Sequence, residues 1–172
     1  VLVLQEGVAT GAADGYYRMA GKPASTLLHL GPGLANGVSN LHNAKKAGSG
    51  VVNIVGEHAS THIALDAPLT SDIEGIARPV SHWVRTSTSA ATVGKDAAEA
   101  VQAAMVTPGQ IASLILPSDT AWDEGGVTHA ALEPATPALF VTDMLAQAAE
   151  ALDGPESLLL LGGTALTESN LE

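Results

Sequence analysis

The chain has 172 residues, contains no cysteine, and carries 18 acidic against 7 basic side chains, for a formal net charge of −11. At roughly 100–200 residues per domain, this length allows one domain, or one domain and part of a second. Because 46% of the residues are hydrophobic, we expect a packed core and exclude wholesale disorder. An acidic surface repels phosphate backbones and anionic lipids, so we expect neither a nucleic acid nor a membrane partner.

The composition and the chain start also bear on location. The absence of cysteine excludes disulfides, thiolate zinc sites and thiol nucleophiles, and it is compatible with a reducing compartment. No apolar run approaches the roughly 20 residues of a membrane span, and residues 1–4 lack the basic flank of a signal peptide. We therefore expect a cytoplasmic protein. The chain opens inside a strand-like run and stops inside a helix-like one, so we also expect a fragment of something longer.

Short apolar runs alternate with alanine-rich stretches along the chain. Such runs predict strands buried on both faces of a parallel sheet. The alternation predicts an α/β fold, a three-layer parallel sheet flanked by helices. In chain order we predict a strand at residues 1–5, a helix at 7–20, a strand at 25–30, a helix at 34–47, a strand at 51–55, a helix at 90–105, a strand at 111–116, a helix at 138–152 and a strand at 157–161.

A change of composition divides the chain into domains. Residues 118–137 include two glycines and two prolines, show no helical or strand period, and predict a linker. The linker would join a first domain, residues 1–117, to the start of a second at residues 138–172. About 35 residues are too few for an independent core, so the second domain would be incomplete.

A carboxyl group follows the first predicted strand. Glu6 comes directly after the apolar run at residues 1–5, and α/β folds place their ligands at the carboxyl ends of strands. A carboxyl at that place could exchange a proton with a ligand. Alternatively, Glu6 opens a helix, where a negative charge is favourable. Position alone favours the second interpretation.

A glycine-rich turn follows the second predicted strand. Gly31, Pro32 and Gly33 precede the helix predicted to begin at residue 34. Glycines there let the backbone approach a ligand closely, and the helix N-terminus favours an anion or a hydrogen-bond acceptor. A tight turn without any ligand explains the same residues about as well.

The same turn also fits a dinucleotide-binding fold, with Glu57 near the place of the ribose-binding acid. Two residues weaken that fit. Asn36 stands where the fingerprint has its third glycine, and Pro32 removes one backbone donor.

Polar residues follow the third predicted strand. On a helix, His58 and His62 would share a face, and Asp66 and Asp72 could add oxygen ligands. The order Glu-His-x-x-x-His is not that of zinc proteases, and nothing in the sequence fixes a geometry. We therefore assign no metal ligands and interpret residues 56–62 as a polar loop beside a pocket.

An ordered series of short motifs runs along the chain. It consists of Glu6 and of residues 13–18 (ADGYYR), 21–23 (GKP), 31–36 (GPGLAN), 54–56 (IVG), 67–72 (APLTSD) and 78–81 (RPVS). Taken in order, these motifs resemble the pyrimidine-binding domain of thiamine-diphosphate-dependent enzymes, and within them the acetolactate synthase large subunit. Residues 138–172 resemble the opening of that family's central domain. On this basis the first domain would lack the family's first strand and helix.

The resemblance implies a role for each matched residue. Glu6 would hydrogen-bond the N1′ nitrogen of the cofactor's aminopyrimidine ring and so assist removal of the thiazolium C2 proton. Gly31, Pro32 and Gly33 would pack on the pyrimidine, with Asn36 capping or orienting the turn. The cofactor contacts would also include Glu57 and His58.

The resemblance further implies decarboxylation or carboligation of pyruvate or a related 2-oxo acid, with thiamine diphosphate and Mg²⁺ as cofactors. The metal ligands would lie on a domain that this sequence does not contain, since it has no Gly-Asp-Gly, and the fragment alone would be inactive. FAD content stays open. A homodimer or homotetramer with the cofactor between subunits is implied.

Two departures from the family's pattern leave the substrate open. Residues 56–58 read Gly-Glu-His where the synthases have Gly-Gln, and residues 68–69 read Pro-Leu where they have Phe-Gln. Two alternative hypotheses also stay open at this point. One is a nucleotide-binding Rossmann-like module that uses residues 31–37 and Glu57, and the other is a non-catalytic relative of the family.

Overall fold

The structure is a computed structural model, and it describes residues 1–134, 142–162 and 165–166. The chain forms two compact units, Val1–Ala135 and Thr136–Glu172. The described elements are, in chain order, α1 (Glu6–Ala20), β1 (Ala24–His29), α2 (Leu30–Ala47), β2 (Val51–Glu57), α3 (Ser60–Ile63), α4 (Ile73–Ala77), β3 (Trp83–Thr86), α5 (Ala90–Ala104), β4 (Ile111–Pro117), α6 (Ser118–Trp122) and α7 (Thr142–Leu152). Within these ranges, no helix combines the length and apolar character needed to cross a bilayer.

The four strands of the first unit form one parallel sheet in the order β1-β2-β4-β3. Val51 of β2 lies opposite Ala24 of β1 and Ile111 of β4. Since all strands run the same way, their carboxyl ends meet at one edge of the sheet. His29 at the end of β1 lies opposite Gly56 near the end of β2.

Helices cover both faces of this sheet, and each face has its own buried cluster. Alternate residues of a strand point to opposite faces, so Val51 and Val55 belong to one cluster and Val52 to the other. The first cluster includes Leu34 and Leu41 of α2, and the second includes Ala100 and Ala104 of α5. The predicted three-layer parallel fold is confirmed.

A chain of buried polar side chains crosses the sheet beneath α1 and α2. Thr26 donates to Oδ1 of Asn53 at 2.8 Å, and Nδ2 of Asn53 donates to Oγ of Ser113 at 3.0 Å. The hydroxyls of Ser113 and Ser81 are 2.8 Å apart. All four of these residues are buried. A slip of one residue would turn the partners to the opposite face, so this network fixes the register of three strands.

The two long helices of the first unit end as predicted, but α2 begins earlier. Gly21 and Gly48 terminate α1 and α2 in the left-handed conformation, with φ of 64° and 66°. α2 begins at Leu30 and not at residue 34, so the Gly-Pro-Gly segment forms its first turn. A proline is tolerated there because the first N–H groups of a helix have no intrahelical partner. Leu30 itself has φ of 57°, which makes the change of direction from β1 unusually sharp.

Two of the predicted strands are wrong. Residues 1–5 form no strand in the structure, and Val1, Leu2 and Leu4 are almost fully exposed. Residues 1–3 and residues 24–27 of β1 line one groove of about 540 Å³ and are not paired as strands. Residues 157–161 also form no strand, and their four leucines are exposed. An apolar run becomes a strand only where a partner strand pairs with it.

β3 and the short helices were not predicted. β3 has only four residues, all half-buried, and lacks an apolar run because it lies at the sheet edge. In the predicted linker, α6 occupies residues 118–122 and residues 123–134 form neither helix nor strand. α7 begins at Thr142, and residues 138–141 of the predicted helix lie outside the described ranges.

Candidate active site

The carboxyl edge of the sheet gathers most of the polar residues that the sequence singled out. The turn from β1 into α2 and the segment after β2 are neighbours there, because His29 and Gly56 pair across the two strands. α1 begins at Glu6 and packs on α2. Three segments that are distant in sequence therefore meet at one place.

Glu6 is hydrogen-bonded to α2. Nδ2 of Asn36 donates to Oε2 of Glu6 at 3.2 Å. The position of a Cβ on Gly33 would lie 3.7 Å from Oε1 of Glu6, so the bare backbone of this residue faces the carboxyl group. Glu6 is half-buried, and within the described part of the chain no donor is bonded to Oε1. The structure thus brings Glu6, Gly33 and Asn36 together.

The other two residues of the glycine-rich turn have different surroundings. A Cβ on Gly31 would collide with Ser71, whose loop packs against the start of α2. Gly31 is therefore needed for packing of the loop. Pro32 is exposed on the first turn of α2.

Glu57 and His58 lie at the same edge, at the end of β2. Oε1 of Glu57 accepts a hydrogen bond from the backbone N–H of His58 at 2.7 Å. Among the residues that the structure describes, neither the buried Nε2 of His58 nor the buried Oγ1 of Thr70 has a hydrogen-bond partner. A buried polar atom without a partner is costly unless a ligand or water satisfies it. Both atoms are therefore candidate ligand contacts.

The two histidines after β2 do not share a helix face. α3 spans Ser60–Ile63, so His62 lies on it and His58 precedes it. The described residues hold no group of three or more His, Cys, Asp or Glu side chains that could bind a metal ion. Asp119 at the start of α6 accepts hydrogen bonds from the N–H and the hydroxyl of Ser60, and these bonds lower the pKa of Asp119. This contact ties the loop after β2 to the end of β4.

Sequence reasoning missed Asn40. Its Nδ2 donates to the backbone carbonyl of Gly7 at 2.6 Å, one residue after Glu6. The available signal was the spacing of Asn36 and Asn40, which places them on one face of the predicted helix. Nothing in the sequence indicated that this face meets the start of α1.

Comparison with known proteins identifies the class. Residues 1–76 match the family described as thiamine pyrophosphate enzyme, N-terminal TPP binding domain. This match contains Glu6, the turn at residues 31–33 and the end of β2. This matched part of the chain belongs to the thiamine pyrophosphate enzyme family, as the sequence resemblance indicated. The same match assigns the glycine-rich turn to this family and not to a dinucleotide-binding fold.

Among individual proteins, the chain is 51% identical over 165 residues to the "Putative acetolactate synthase large subunit IlvX" of Mycobacterium tuberculosis. It is 30% identical over 175 residues to the benzoylformate decarboxylase of Pseudomonas aeruginosa. These alignments cover 96% and 99% of the chain but only 32% and 33% of the relatives. The chain thus spans about a third of the length of the curated relatives it matches.

Solved structures agree on the fold. The structure of a "putative thiamin diphosphate-dependent enzyme" from Mycobacterium smegmatis superimposes on this chain with a TM-score of 0.74 at 29% identity. It covers 89% of this chain, which corresponds to 30% of that structure. The 4-hydroxybenzoylformate decarboxylase of Rhodococcus jostii gives a TM-score of 0.73 at 24% identity, over 88% of this chain and 30% of that one.

Proposed function

We propose that this chain provides the pyrimidine-binding side of the active site of a thiamine-diphosphate-dependent carboligase or decarboxylase. Its substrate is pyruvate or a related 2-oxo acid, as the resemblance to acetolactate synthase indicates. The single observation that supports this best is the position of Glu6. Its carboxyl lies at the carboxyl edge of the sheet, bonded to Asn36 and beside the bare backbone of Gly33.

The residues present fit the pyrimidine ring of that cofactor. A ring nitrogen needs a carboxyl oxygen that is close by and not already bonded, and Oε1 of Glu6 meets this need within the described residues. A flat ring needs a surface without side chains, and Gly33 offers one next to that oxygen. The buried Nε2 of His58 offers a further contact at the same edge. When bound, thiamine diphosphate supplies the electron sink for decarboxylation of a 2-oxo acid.

In this proposal the chain's own residues bind the cofactor's pyrimidine ring, orient the Glu6 carboxyl toward it and transfer one proton. Oε1 of Glu6 would share a proton with the N1′ nitrogen of the ring, while Asn36 holds Oε2 and so fixes the plane of the carboxyl. Gly33, with Gly31 and Pro32 beside it in the first turn of α2, would lie against the ring. Oε1 of Glu57 holds the backbone N–H of His58, and Nε2 of His58 would offer a further contact to the cofactor.

Further parts of the proposal concern the whole protein. Mg²⁺ would be held with the diphosphate by residues of another domain, and FAD content is to be measured by assay. We propose a homodimer or homotetramer with the cofactor between subunits, in the cytoplasm, with no nucleic acid or membrane partner. We further propose residues 1–117 as the pyrimidine-binding domain, 118–137 as the linker and 138–172 as the start of the central domain.

Glu6→Gln in the assembled holoenzyme tests the role of Glu6. Gln keeps an oxygen for Asn36 but cannot exchange a proton, so turnover should fall by about 10²–10⁴-fold, the usual effect of losing a positioned acid or base. Asp123→Asn serves as the control, since Asp123 is exposed and distant in sequence from every proposed contact. Unchanged turnover in the Glu6→Gln enzyme would refute the proposed role.

The donor substrate is tested separately by comparing pyruvate with benzoylformate in steady-state assays. We expect kcat/KM to favour pyruvate, because the relative at 51% identity is named an acetolactate synthase. A preference for benzoylformate would assign the protein to the decarboxylases named among its other relatives.

A further inference from the structure

Two asparagines of α2 face the first turn of α1. Asn36 and Asn40 are four residues apart and so lie on the same side of the helix. Asn36 donates to the Glu6 carboxyl at 3.2 Å, and Asn40 donates to the Gly7 carbonyl at 2.6 Å. One contact holds the side chain of Glu6 and the other holds the backbone beside it.

The α1 residues opposite Asn40 leave room for its side chain. A Cβ on Gly11 would lie 3.0 Å from Nδ2 of Asn40, closer than packed side chains normally approach. Thr10 is fully buried. Its hydroxyl lies within hydrogen-bonding distance of three backbone carbonyl oxygens, those of Glu6, Gly7 and Gly37. The start of α1 is thus attached to α2 by side-chain hydrogen bonds on consecutive residues.

We propose that Asn40 is a positioning residue for Glu6. It does not touch the carboxyl group, and it acts by fixing the backbone one residue beyond it. This inference rests on the proposed function of Glu6 as the group that exchanges a proton with the cofactor ring.

The physical reason lies at the helix terminus. The first turn of a helix frays readily because its N–H groups lack intrahelical partners. Gly7 adds backbone freedom directly after Glu6. The cap from Gln5 to the Val8 N–H and the Thr10 hydroxyl at the Glu6 and Gly7 carbonyls both lie within α1 or beside it and do not tie Gly7 to α2. The exposed Asn36 bonds only to the end of a rotatable side chain. The shorter bond from Asn40 removes that freedom, so Asn36 and Glu6 stay within bonding distance.

The first test uses the 172-residue chain without cofactor. The readout is the NMR signal of the Asn36 side-chain amide. Asn40→Ala should shift this signal toward its position in the Glu6→Ala variant, in which Asn36 has lost its acceptor on Glu6. The matched control is Asn43→Ala, because Asn43 is on the same helix and exposed, and it has no side-chain hydrogen bond among the described residues. If Asn40→Ala leaves the Asn36 resonances where Asn43→Ala leaves them, the proposal is wrong.

Asn40→Asp provides a second variant if Asn40→Ala unfolds the chain. Aspartate has nearly the same shape but cannot donate to the Gly7 carbonyl at neutral pH. It should produce the same displacement of the Asn36 amide signals. Asn36 signals that stay unchanged in a folded Asn40→Asp chain would also contradict the proposal.

The second test measures kinetics in the holoenzyme. Asn40→Ala should lower kcat about tenfold while KM for the 2-oxo acid stays within about twofold, since a small misplacement of a reacting group costs rate more than binding. In a Glu6→Gln background, Asn40→Ala should cause no further fall. A fall of the same size in both backgrounds means that Asn40 only stabilises the fold.

The two proposals fail in different ways. If Glu6→Gln has full activity, the proposed function is wrong. If Glu6→Gln loses activity but Asn40→Ala behaves like Asn43→Ala, only the role of Asn40 is wrong.

Discussion

Asn53 lies in the middle of β2 with no exposed surface, and it bonds on both sides to neighbouring strands. Its amide oxygen accepts from Thr26 and its amide nitrogen donates to Ser113. Because both partners are buried hydroxyls, removing the amide leaves the Thr26 hydroxyl without a partner and leaves Ser113 with Ser81 alone. At the scale of single residues, this one side chain therefore joins β2 to both neighbouring strands through buried hydrogen bonds.

Asn53→Ala should therefore lower the free energy of unfolding by about 2–4 kcal/mol, through lost hydrogen bonds and a small cavity. Urea denaturation followed by circular dichroism measures this change. Asn43→Ala, on the exposed face of α2, should stay within about 0.5 kcal/mol of the parent. A loss below about 1 kcal/mol for Asn53→Ala would show that water replaces the amide.

The packing of α1 on α2 depends on glycine at particular positions. A Cβ on Gly37 would lie 2.9 Å from Cγ2 of Thr10, whose hydroxyl bonds fix its rotamer. Gly15, in contrast, has no described atom outside the backbone of its own helix within 4 Å of the Cβ position, although it also lies inside a helix. Both positions are glycines inside a helix, and they differ only in the side chains that lie opposite them.

These glycines give a matched pair of variants with opposite signs. Gly37→Ala should destabilise by about 1–3 kcal/mol, because α1 and α2 must separate to admit the methyl group. Gly15→Ala should stabilise by roughly 0.5–1 kcal/mol, because alanine loses less backbone entropy in a helix. Thermal or urea unfolding decides the signs. Equal effects in both variants would contradict the close contact at Gly37.

β3 is held to α5 by charge. Nη1 of Arg85 lies 2.9 Å from Asp96 and 2.5 Å from Glu99, and its guanidinium stacks 5.1 Å from the centre of the Trp83 ring. Ser87 also donates to Asp96, at 2.8 Å. Burial alone would raise the pKa of Asp96, but the hydrogen bonds from Arg85 and Ser87 outweigh it, and the pKa is lowered.

A lowered pKa makes this contact sensitive to acid. Its contribution to stability is fully present above the ordinary aspartate pKa of about 3.9 and is lost as pH falls through the lower, folded-state pKa. The melting temperature should therefore fall more steeply below about pH 4 in the parent than in Asp96→Asn. Asp123→Asn, which changes an exposed carboxyl, should keep the steep fall of the parent. Parallel profiles for the parent and Asp96→Asn would exclude this origin of acid sensitivity.

At the scale of the whole molecule, net charge and chain length bear on how tightly the isolated chain binds thiamine diphosphate. It carries a net charge of −11 and no basic residue after Lys95, and it spans about a third of its curated relatives. The family match over residues 1–76 is to an N-terminal TPP binding domain, for which we propose the pyrimidine-binding role. An acidic surface disfavours a diphosphate group.

We therefore expect the isolated chain to bind thiamine diphosphate with Mg²⁺ more weakly than about 1 mM, equivalent to about −4 kcal/mol. Isothermal titration calorimetry with cofactor and magnesium measures this directly. Titration with magnesium alone gives the background heat. Micromolar, magnesium-dependent affinity would contradict the proposal that the residues that bind the diphosphate lie on another domain.

The sequence by itself determined the fold class and most of the elements of the first unit. Continuous apolar runs and helical periods locate β1, β2 and β4 as well as α1, α2 and α5, because burial on both faces imposes those patterns. The ordered series of motifs also identified the family that the comparisons then showed. A local sequence pattern is sufficient to predict an element where the local preference of the residues and the packing of the whole fold favour the same structure.

Only the tertiary structure decided what each polar residue contacts. It left residues 1–5 unpaired, since pairing depends on a neighbour strand and not on apolar content. It assigned Gly31 to the packing of Ser71 and Gly33 to the surroundings of Glu6, although the two glycines are two residues apart. It also placed Asn40 against Gly7, across 33 positions of sequence. Such contacts form between faces of different elements, and a one-dimensional pattern does not encode which faces meet.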